Sequence, residues 1–138
     1  MGARRRAREI ALQVLFAMDV AGKDANAGLG DVQGLSISTW SSETRRFANR
    51  LASGVEQNRE KIDTIIRESS HNWRLERMAL VDRNVLRLAV FELLYCEDIP
   101  RKVSLNEAIE LGKKFGSSDS GAFINGVLDR IARASGKE

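Results

Sequence analysis

The segment from Val85 to Cys96 limits most strongly what this chain can fold into. Ten of its twelve residues are apolar, and only Arg87 and Glu92 interrupt it. On a helix these apolar side chains point in nearly every direction, so other elements must cover the segment on several sides. It is too short to span a bilayer, which needs roughly 20 apolar residues. The segment therefore predicts a buried central helix, which ends before Pro100 because a proline biases the preceding residue away from helical geometry.

The chain as a whole has the length and composition of one globular domain. It contains 138 residues, of which 43% are hydrophobic and 30% charged, and a chain of this length can bury a core without metals or disulfides. Its apolar residues recur at helical spacing and do not alternate as in strands. We therefore predict a single all-α domain over residues 1–138. Cys96 is the only cysteine, which excludes a disulfide framework and favours a reducing cytoplasm.

A cluster of arginines precedes the first apolar segment. The cluster consists of Arg4, Arg5, Arg6 and Arg8. A targeting signal is rejected because Glu9, Gln13 and Asp19 interrupt the apolar block that follows, and because that block has helical periodicity. The net charge of +3 is modest, but four arginines without an acid in eight residues favour binding to a polyanion. A solvated, disordered basic end is the alternative.

The first helix is predicted from Ala7 to Ala21, with one apolar stripe facing the core. Leu12 and Phe16 do not belong to that stripe. They lie one helical turn apart on roughly the opposite side, and charged residues flank them. This pair predicts a contact surface, and the alternative is that another helix of the same chain covers both residues.

Local signals predict the elements that follow. Gly22 to Ser42 is rich in glycine and polar residues and is predicted as a loop, with Trp40 anchoring it on the core. Ser41 or Ser42 is expected to cap the next helix. Helical spacing then continues to about Glu68, which predicts one bent helix or two, with a break at Gly54 or Asn58.

Two further helices are predicted after Pro100. Ser104 and Glu107 have the spacing of a capping box, so a helix is expected to begin at Ser104. A last helix is expected after residues 117–120, which offer several caps. Its core stripe is predicted to contain Ile124, Val127, Leu128 and Ile131. Phe123 falls to one side of this stripe, near Arg130.

Residue patterns for catalysis are weak in this sequence. His71 is the only histidine and Cys96 the only cysteine, so neither a zinc site nor a Ser-His-Asp arrangement can be assembled. No glycine-rich phosphate-binding motif occurs. The sequence therefore favours a binding protein, and we predict no enzymatic activity, no cofactor and no metal.

Two blocks of sequence resemble the bacterial transcription antitermination protein NusB family. The first is residues 4–16, with the arginine cluster followed by Ala11-Leu12-Gln13-Val14-Leu15-Phe16. The second runs from Asp82 through Asp98-Ile99-Pro100 and residues 106–116 to the segment at 119–129. Together the blocks cover about half the chain, and the order and spacing of the second are specific.

The resemblance implies a fold of two small helical bundles that share the central helix. It also implies binding to the single-stranded boxA element of nascent RNA, together with NusE, a ribosomal small-subunit protein. This pair joins RNA polymerase antitermination complexes in ribosomal RNA operons. No membrane association and no catalysis are implied.

The resemblance also assigns roles to single positions. The expected RNA-binding residues are Arg4, Arg5, Arg6, Arg8, Asp119 and Phe123. The expected NusE-binding residues are Leu12, Phe16 and Asp82; Leu12 is included because it pairs with Phe16 on the predicted contact surface. Two positions depart from the family pattern. Ala122 replaces a frequent lysine, so one phosphate contact is expected to be missing, and Asp82 is one methylene shorter than a frequent glutamate.

Two other classes of function remain open at this point. Similar helical modules precede the catalytic domain of ribosomal RNA cytosine methyltransferases, although nothing in this sequence resembles a cofactor-binding sheet. A helical protein-interaction or dimerisation module, including a homodimer, with an incidental basic end is the other alternative.

Overall fold

The computed structural model describes residues 2–35, 40–71 and 74–136 of the chain. Within these ranges the backbone forms seven α-helices and one short 3-10 turn, with no strand. The helices are α1 (Ala3–Ala21), α2 (Ala25–Leu35), α3 (Ser42–Gln57), α4 (Arg59–Ser69), α5 (Leu80–Tyr95), α6 (Arg101–Phe115) and α7 (Ser120–Ser135), and the 3-10 turn is Leu75–Arg77. The predicted all-α fold is confirmed. No helix in the described ranges combines the length and the apolar character needed to cross a bilayer.

The helices form two compact units that meet in sequence at Asn58. The first unit extends to Gln57 and contains α1, α2 and α3, and the second begins at Asn58 and contains α4 to α7. Asn58 has φ −115° and ψ 18°, which lie outside the helical region and separate α3 from α4. The helical pattern that continues to Glu68 is therefore two helices, and the predicted break at Asn58 is confirmed.

The prediction of a loop over Gly22 to Ser42 is wrong, because this segment contains α2. Two backbone N–H groups at the start of α2, which have no partner within the helix, donate to carboxylate oxygens. The N–H of Ala27 donates to Asp24 Oδ1 at 2.8 Å, and the N–H of Ala25 donates to Glu56 Oε2 of α3, also at 2.8 Å. These bonds satisfy donors that otherwise weaken a short helix.

Glycine also has a packing role in α2. A Cβ on Gly28 would lie 3.0 Å from Val14 Cγ1 of α1, closer than most side chains tolerate. The glycine thus permits a close approach between α1 and α2, although the same residue type predicted a loop. Residues 36–39 of the predicted loop lie outside the described residues.

The end of that segment behaves as predicted. Trp40 is buried, with the Arg45 guanidinium 5.9 Å from the centre of its ring. The N–H of Thr44 donates to Ser41 Oγ at 3.1 Å, so Ser41 caps α3.

Helix α5 is the predicted central helix, and it is buried continuously from Asn84 to Leu93. Within the second unit it contacts α4, α6 and α7, so it is covered on several sides as its composition requires.

The buried part of α5 contains one basic and one acidic side chain, and both have hydrogen-bond partners. Arg87 donates to both carboxylate oxygens of Asp63 on α4, at 2.9 and 3.2 Å, and to Asn84 Oδ1 at 3.0 Å. Glu92 Oε1 accepts a hydrogen bond from the Ser104 hydroxyl at 2.9 Å.

The prediction that α6 begins at Ser104 is wrong, because the helix begins at Arg101. Pro100 occupies the position before the first turn with extended backbone geometry, and its missing N–H costs nothing there. Ser104 is buried inside the helix and gives its hydroxyl to Glu92. The need to satisfy a buried carboxylate therefore outweighs the capping signal.

The last helix has the predicted core stripe. All four of its apolar residues are buried, namely Ile124, Val127, Leu128 and Ile131. The connection from α6 to α7 is tight, since a Cβ on Gly116 would lie 2.8 Å from the Gly112 carbonyl oxygen and would also collide with the Ser120 hydroxyl. A glycine at this position is what allows α7 to start so soon after α6.

The buried pair of Arg87 and Asp63 gives a prediction about stability. Asp63→Ala leaves a guanidinium buried without its carboxylate, so the free energy of unfolding should fall by about 3–5 kcal/mol. Urea unfolding followed by circular dichroism measures this change. The matched control is Asp129→Ala, which breaks the exposed pair with Arg133 at 2.9 Å and should cost at most about 1 kcal/mol. Equal losses in the two variants would contradict the importance of the buried pair.

Candidate functional site

The arginine cluster lies on the first two turns of α1. The helix begins at Ala3, four residues before the predicted start, and the Arg6 N–H donates to the Gly2 carbonyl at 3.1 Å. The structure therefore contradicts the alternative of a disordered basic end. Arginine has a high intrinsic helix propensity, so the cluster can extend the helix.

The four arginines differ in exposure. Arg4 and Arg5 are exposed, Arg6 is half-buried, and Arg8 is only 4% exposed. The first turn of α1 contains no acidic residue, and the free N–H groups of a helix start add partial positive charge. This end of α1 is therefore suited to attract an anion.

The ring of Phe47 on α3 lies against two arginines of this cluster and against Arg50 of α3. Three guanidinium carbons lie near its centre: Arg4 at 4.6 Å, Arg8 at 5.4 Å and Arg50 at 5.9 Å. Each distance is within the range of a cation–π contact. The starts of α1 and α3 also meet directly, since Thr44 Oγ1 donates to the Ala3 carbonyl at 3.4 Å.

The predicted apolar pair of Leu12 and Phe16 is divided by exposure. Leu12 is only 5% exposed, as the alternative of a covered residue requires, whereas Phe16 is 39% exposed. Val20, one turn beyond Phe16, is 61% exposed. The exposed apolar patch on α1 therefore consists of Phe16 and Val20, and Leu12 is not an exposed member of it.

The second unit contains a cavity that brings together three of the predicted site residues. Its volume is about 310 Å³. Asp82 reaches it from the first turn of α5, while Asp119 and Phe123 reach it from the start of α7. The rest of the lining is Arg77, Met78 and Ala79. The sequence assigned Asp82 to a protein partner and the other two residues to RNA, but all three line one cavity.

One residue of the cavity lining has a carboxylate oxygen without a hydrogen-bond donor in the described part of the chain. Asp82 Oδ1 is buried and has no hydrogen-bond partner among the described residues. A buried carboxylate oxygen without a donor costs free energy, so the first turn of α5 holds Asp82 in a position that the described residues leave unsatisfied.

Asp119 occupies the N-cap position of α7, but its side chain makes no capping hydrogen bond. The adjacent connection is held instead by Ser120, whose Oγ accepts the Ser117 N–H at 2.9 Å. Residues 117–120 were expected to offer several caps, but the Asp119 side chain does not cap α7.

A surface ion pair supports the 3-10 turn that leads to the cavity. Arg67 Nη2 on α4 lies 2.8 Å from Glu76 Oε1, and this hydrogen bond lowers the pKa of Glu76 below its ordinary value. A lowered pKa in the folded state means that the pair stabilises the fold above the unfolded pKa and that this contribution is lost as the pH falls through the folded value. The pair tethers the turn that carries Arg77.

The arrangement offers cationic, acidic and aromatic groups suited to binding. The described residues contain no group of three or more His, Cys, Asp or Glu side chains suited to a metal ion. Sequence reasoning missed Phe47, Arg50 and Arg77 as members of these sites. The sequence does signal the first two, since Arg45, Arg46 and Arg50 surround Phe47 on α3, but their proximity to α1 depends on the fold.

Comparison with known proteins identifies the family. The NusB family model matches residues 5–133, which is most of the chain. The chain belongs to the NusB family. This NusB-family chain is 49% identical over 146 residues to the transcription antitermination protein NusB of Myxococcus xanthus, and the match covers 99% of both chains.

Solved structures of NusB proteins have the same fold. NusB from T. maritima superposes with a TM-score of 0.87 at 39% identity, covering 94% of this chain and 90% of that one. The antitermination factor NusB in a crystal structure with NusE and double-stranded RNA superposes with a TM-score of 0.88 at 28% identity, covering 97% and 98% of the two chains. The family predicted from the two sequence blocks is thus confirmed, and the similarity extends over nearly the full length of the chain.

The different exposure of Leu12 and Phe16 gives a prediction about stability. Leu12→Ala should lower the free energy of unfolding by about 2–5 kcal/mol, because it opens a cavity in the core. Phe16→Ala removes a partly solvated ring and should cost about 1 kcal/mol or less. Thermal and urea unfolding of both variants check the order. A larger loss for Phe16→Ala would mean that its ring belongs to the core.

Proposed function

We propose that this chain is an RNA-binding transcription antitermination factor that acts in the cytoplasm without catalysing a reaction. Residues 1–138 act as one functional domain. It binds boxA-type single-stranded RNA together with NusE and joins the RNA polymerase antitermination complex of ribosomal RNA operons. The family and the name of the Myxococcus xanthus relative support antitermination. A NusB protein crystallised with NusE and RNA supports the two partners.

The observation that carries the RNA proposal is the arginine cluster on α1. Guanidinium groups pair with phosphate oxygens in a charge-assisted, salt-sensitive manner. Arg4, Arg5 and Arg6 are exposed or half-buried at a helix start that has no acid in its first turn. We assign them the direct phosphate contacts. The burial of Arg8 against Phe47 favours a supporting role, in which it holds the cluster on the surface.

A separate contribution is assigned to the start of α7. Phe123 is half-buried beside the cavity, and a partly exposed ring can stack on an unpaired base. The Asp119 side chain makes no capping hydrogen bond, so its carboxylate can accept a hydrogen bond from an N–H group of a base. Ala122 is exposed and brings no charge, so this segment contributes less to phosphate binding than the lysine frequent in the family would.

NusE is assigned to the exposed apolar patch on α1 and to Asp82. Phe16 supplies the exposed ring. Leu12 is buried one helical turn before Phe16, so we assign it a supporting role beneath this surface and no direct contact. The carboxylate of Asp82, which lines the cavity, can pair with a basic side chain of NusE. Because Asp82 shares its cavity with Asp119 and Phe123, the proposed protein and RNA contacts adjoin in the second unit.

A binding titration tests the proposed function. The protein should bind boxA-like single-stranded RNA more tightly than a scrambled strand of the same length, and added NusE should increase that affinity. Fluorescence anisotropy with labelled RNA measures both effects. A duplex of the boxA-like strand serves as a further arm, since the solved complex contains double-stranded RNA. Equal binding of all three RNAs with no effect of NusE would contradict the proposal. It would mean that the basic surface binds nucleic acid without specificity.

The two parts of the proposed RNA site should fail differently when salt is varied. Arg5→Gln removes one phosphate contact, so the slope of log K against log salt should flatten by about 0.7. Phe123→Ala removes a stacking surface but no charge, so affinity should fall by about 1–3 kcal/mol with the slope unchanged. Titration at several salt concentrations separates these effects.

Melting curves are the control for both variants, because Phe123 lies beside the core stripe of α7. A folded Phe123→Ala variant with the parent's affinity would remove Phe123 from the site. An unchanged slope in Arg5→Gln would remove Arg5 from phosphate binding.

A further inference from the structure

We propose that the RNA-binding surface continues from α1 onto the first turns of α3, where Arg46 and Arg50 bind phosphates of single-stranded RNA that flanks the boxA-like element. This inference rests on the proposed function and extends it to a longer RNA. It concerns only the first unit, in which α1 and α3 pack together.

The first step of the argument is the position of α3. Its Thr44 hydroxyl bonds to the Ala3 carbonyl, so the starts of the two helices are adjacent. Arg4 of α1 and Arg50 of α3 lie near the same Phe47 ring, at 4.6 and 5.9 Å from its centre. A phosphodiester strand held by the α1 cluster therefore passes within reach of α3.

The second step is the character of the exposed face of α3. Arg46 and Arg50 are both exposed and lie four residues apart, which places them about 6 Å apart along one helix face. Asn49 between them is also exposed and uncharged. This spacing gives two guanidinium groups in a row beside the α1 cluster.

The third step is the position of the nearby acids. Glu43 lies in the first turn of α3 and Glu56 near its end. The Glu56 carboxylate already accepts the Ala25 N–H. Glu9 on α1 is half-buried. Over the whole of α3 three arginines stand against its two acids, and with the α1 cluster beside them the local charge is positive and favours a polyanion.

The recognition should be independent of sequence. Guanidinium groups pair with phosphate oxygens, and phosphates repeat along any strand, so contacts to them carry no sequence information. The ligand class is therefore the backbone of unstructured RNA next to the specific element. Such contacts add affinity and salt dependence without adding base preference.

The experiment compares a short boxA-like RNA with the same RNA carrying a uridine tail at either end. For the parent protein, the tail should increase affinity and steepen the slope of log K against log salt. The double variant Arg46→Gln/Arg50→Gln should lose the gain from the tail and flatten the slope by about 1.4 on the tailed RNA, since each single-strand phosphate contact contributes about 0.7. The single variant Arg46→Gln, which leaves the contacts of the Phe47 ring in place, should show about half of that change in slope and keep its affinity for the short RNA within twofold of the parent.

Two control proteins accompany the double variant. Lys23→Gln removes a positive charge from the same unit, where Lys23 pairs with Asp31, but it lies beyond the far end of α1, about 20–26 Å along the helix from the arginine cluster. It should keep the full gain from the tail. Arg46→Lys/Arg50→Lys keeps both charges and should retain most of the salt slope. Glutamine has a helix propensity close to that of arginine, and melting curves check that the double variant folds.

The outcomes separate this inference from the function on which it rests. Failure of the parent to bind the short RNA would overturn the proposed function, and this inference with it. Normal binding of the short RNA with no gain from the tail, or a gain that survives in the glutamine double variant, would overturn this inference alone. An equal loss in Lys23→Gln would assign the effect to overall charge. A double variant that loses NusE affinity and keeps the tail effect would assign the face to a protein.

Discussion

Helix α5 carries a cation and an acid into an interior that excludes water, and the arrangement of the second unit follows from how each is satisfied. Arg87 is held by Asp63 on α4, and Glu92 by Ser104 on α6. A buried charge without a partner costs several kcal/mol. Each pair therefore restricts how its helix can rotate or slide against α5. Apolar packing alone tolerates small shifts of this kind, whereas hydrogen bonds at about 3 Å do not.

This restriction extends to the end of the unit that contains the cavity. The first turn of α5 carries Asp82, and the start of α7 carries Asp119 and Phe123. Because α5 also contacts α7, fixing α5 fixes the wall against which those side chains form a cavity. The cavity is thus a product of core packing. Its lining comes from element ends, which are less constrained by the core than element centres.

The spacing of apolar residues within a segment predicted those features of the fold that are decided within that segment. The apolar run at 85–96, the stripe through Ile124 and Ile131, and the break at Asn58 each follow from the residues within one segment. Helix α2 and the start of α6 could not be predicted in this way. The acceptor for the Ala25 N–H is Glu56, and the partner of the Ser104 hydroxyl is Glu92, so the deciding contacts join distant segments. The candidate site divides similarly: composition indicated the arginine cluster, but the burial of Arg8 and the position of Arg50 depend on Phe47.

The ring of Phe47 has a consequence for the entropy of binding. A free arginine side chain samples many rotamers, and ordering such a chain at an interface costs about 0.5–1.5 kcal/mol. The guanidinium groups of Arg4, Arg8 and Arg50 already lie against one buried aromatic face before any ligand arrives. Part of their rotamer freedom is therefore lost during folding and does not have to be lost again on association. Under the proposed function, a phosphate strand would meet a cationic surface that is already partly organised, which favours affinity without requiring additional charges.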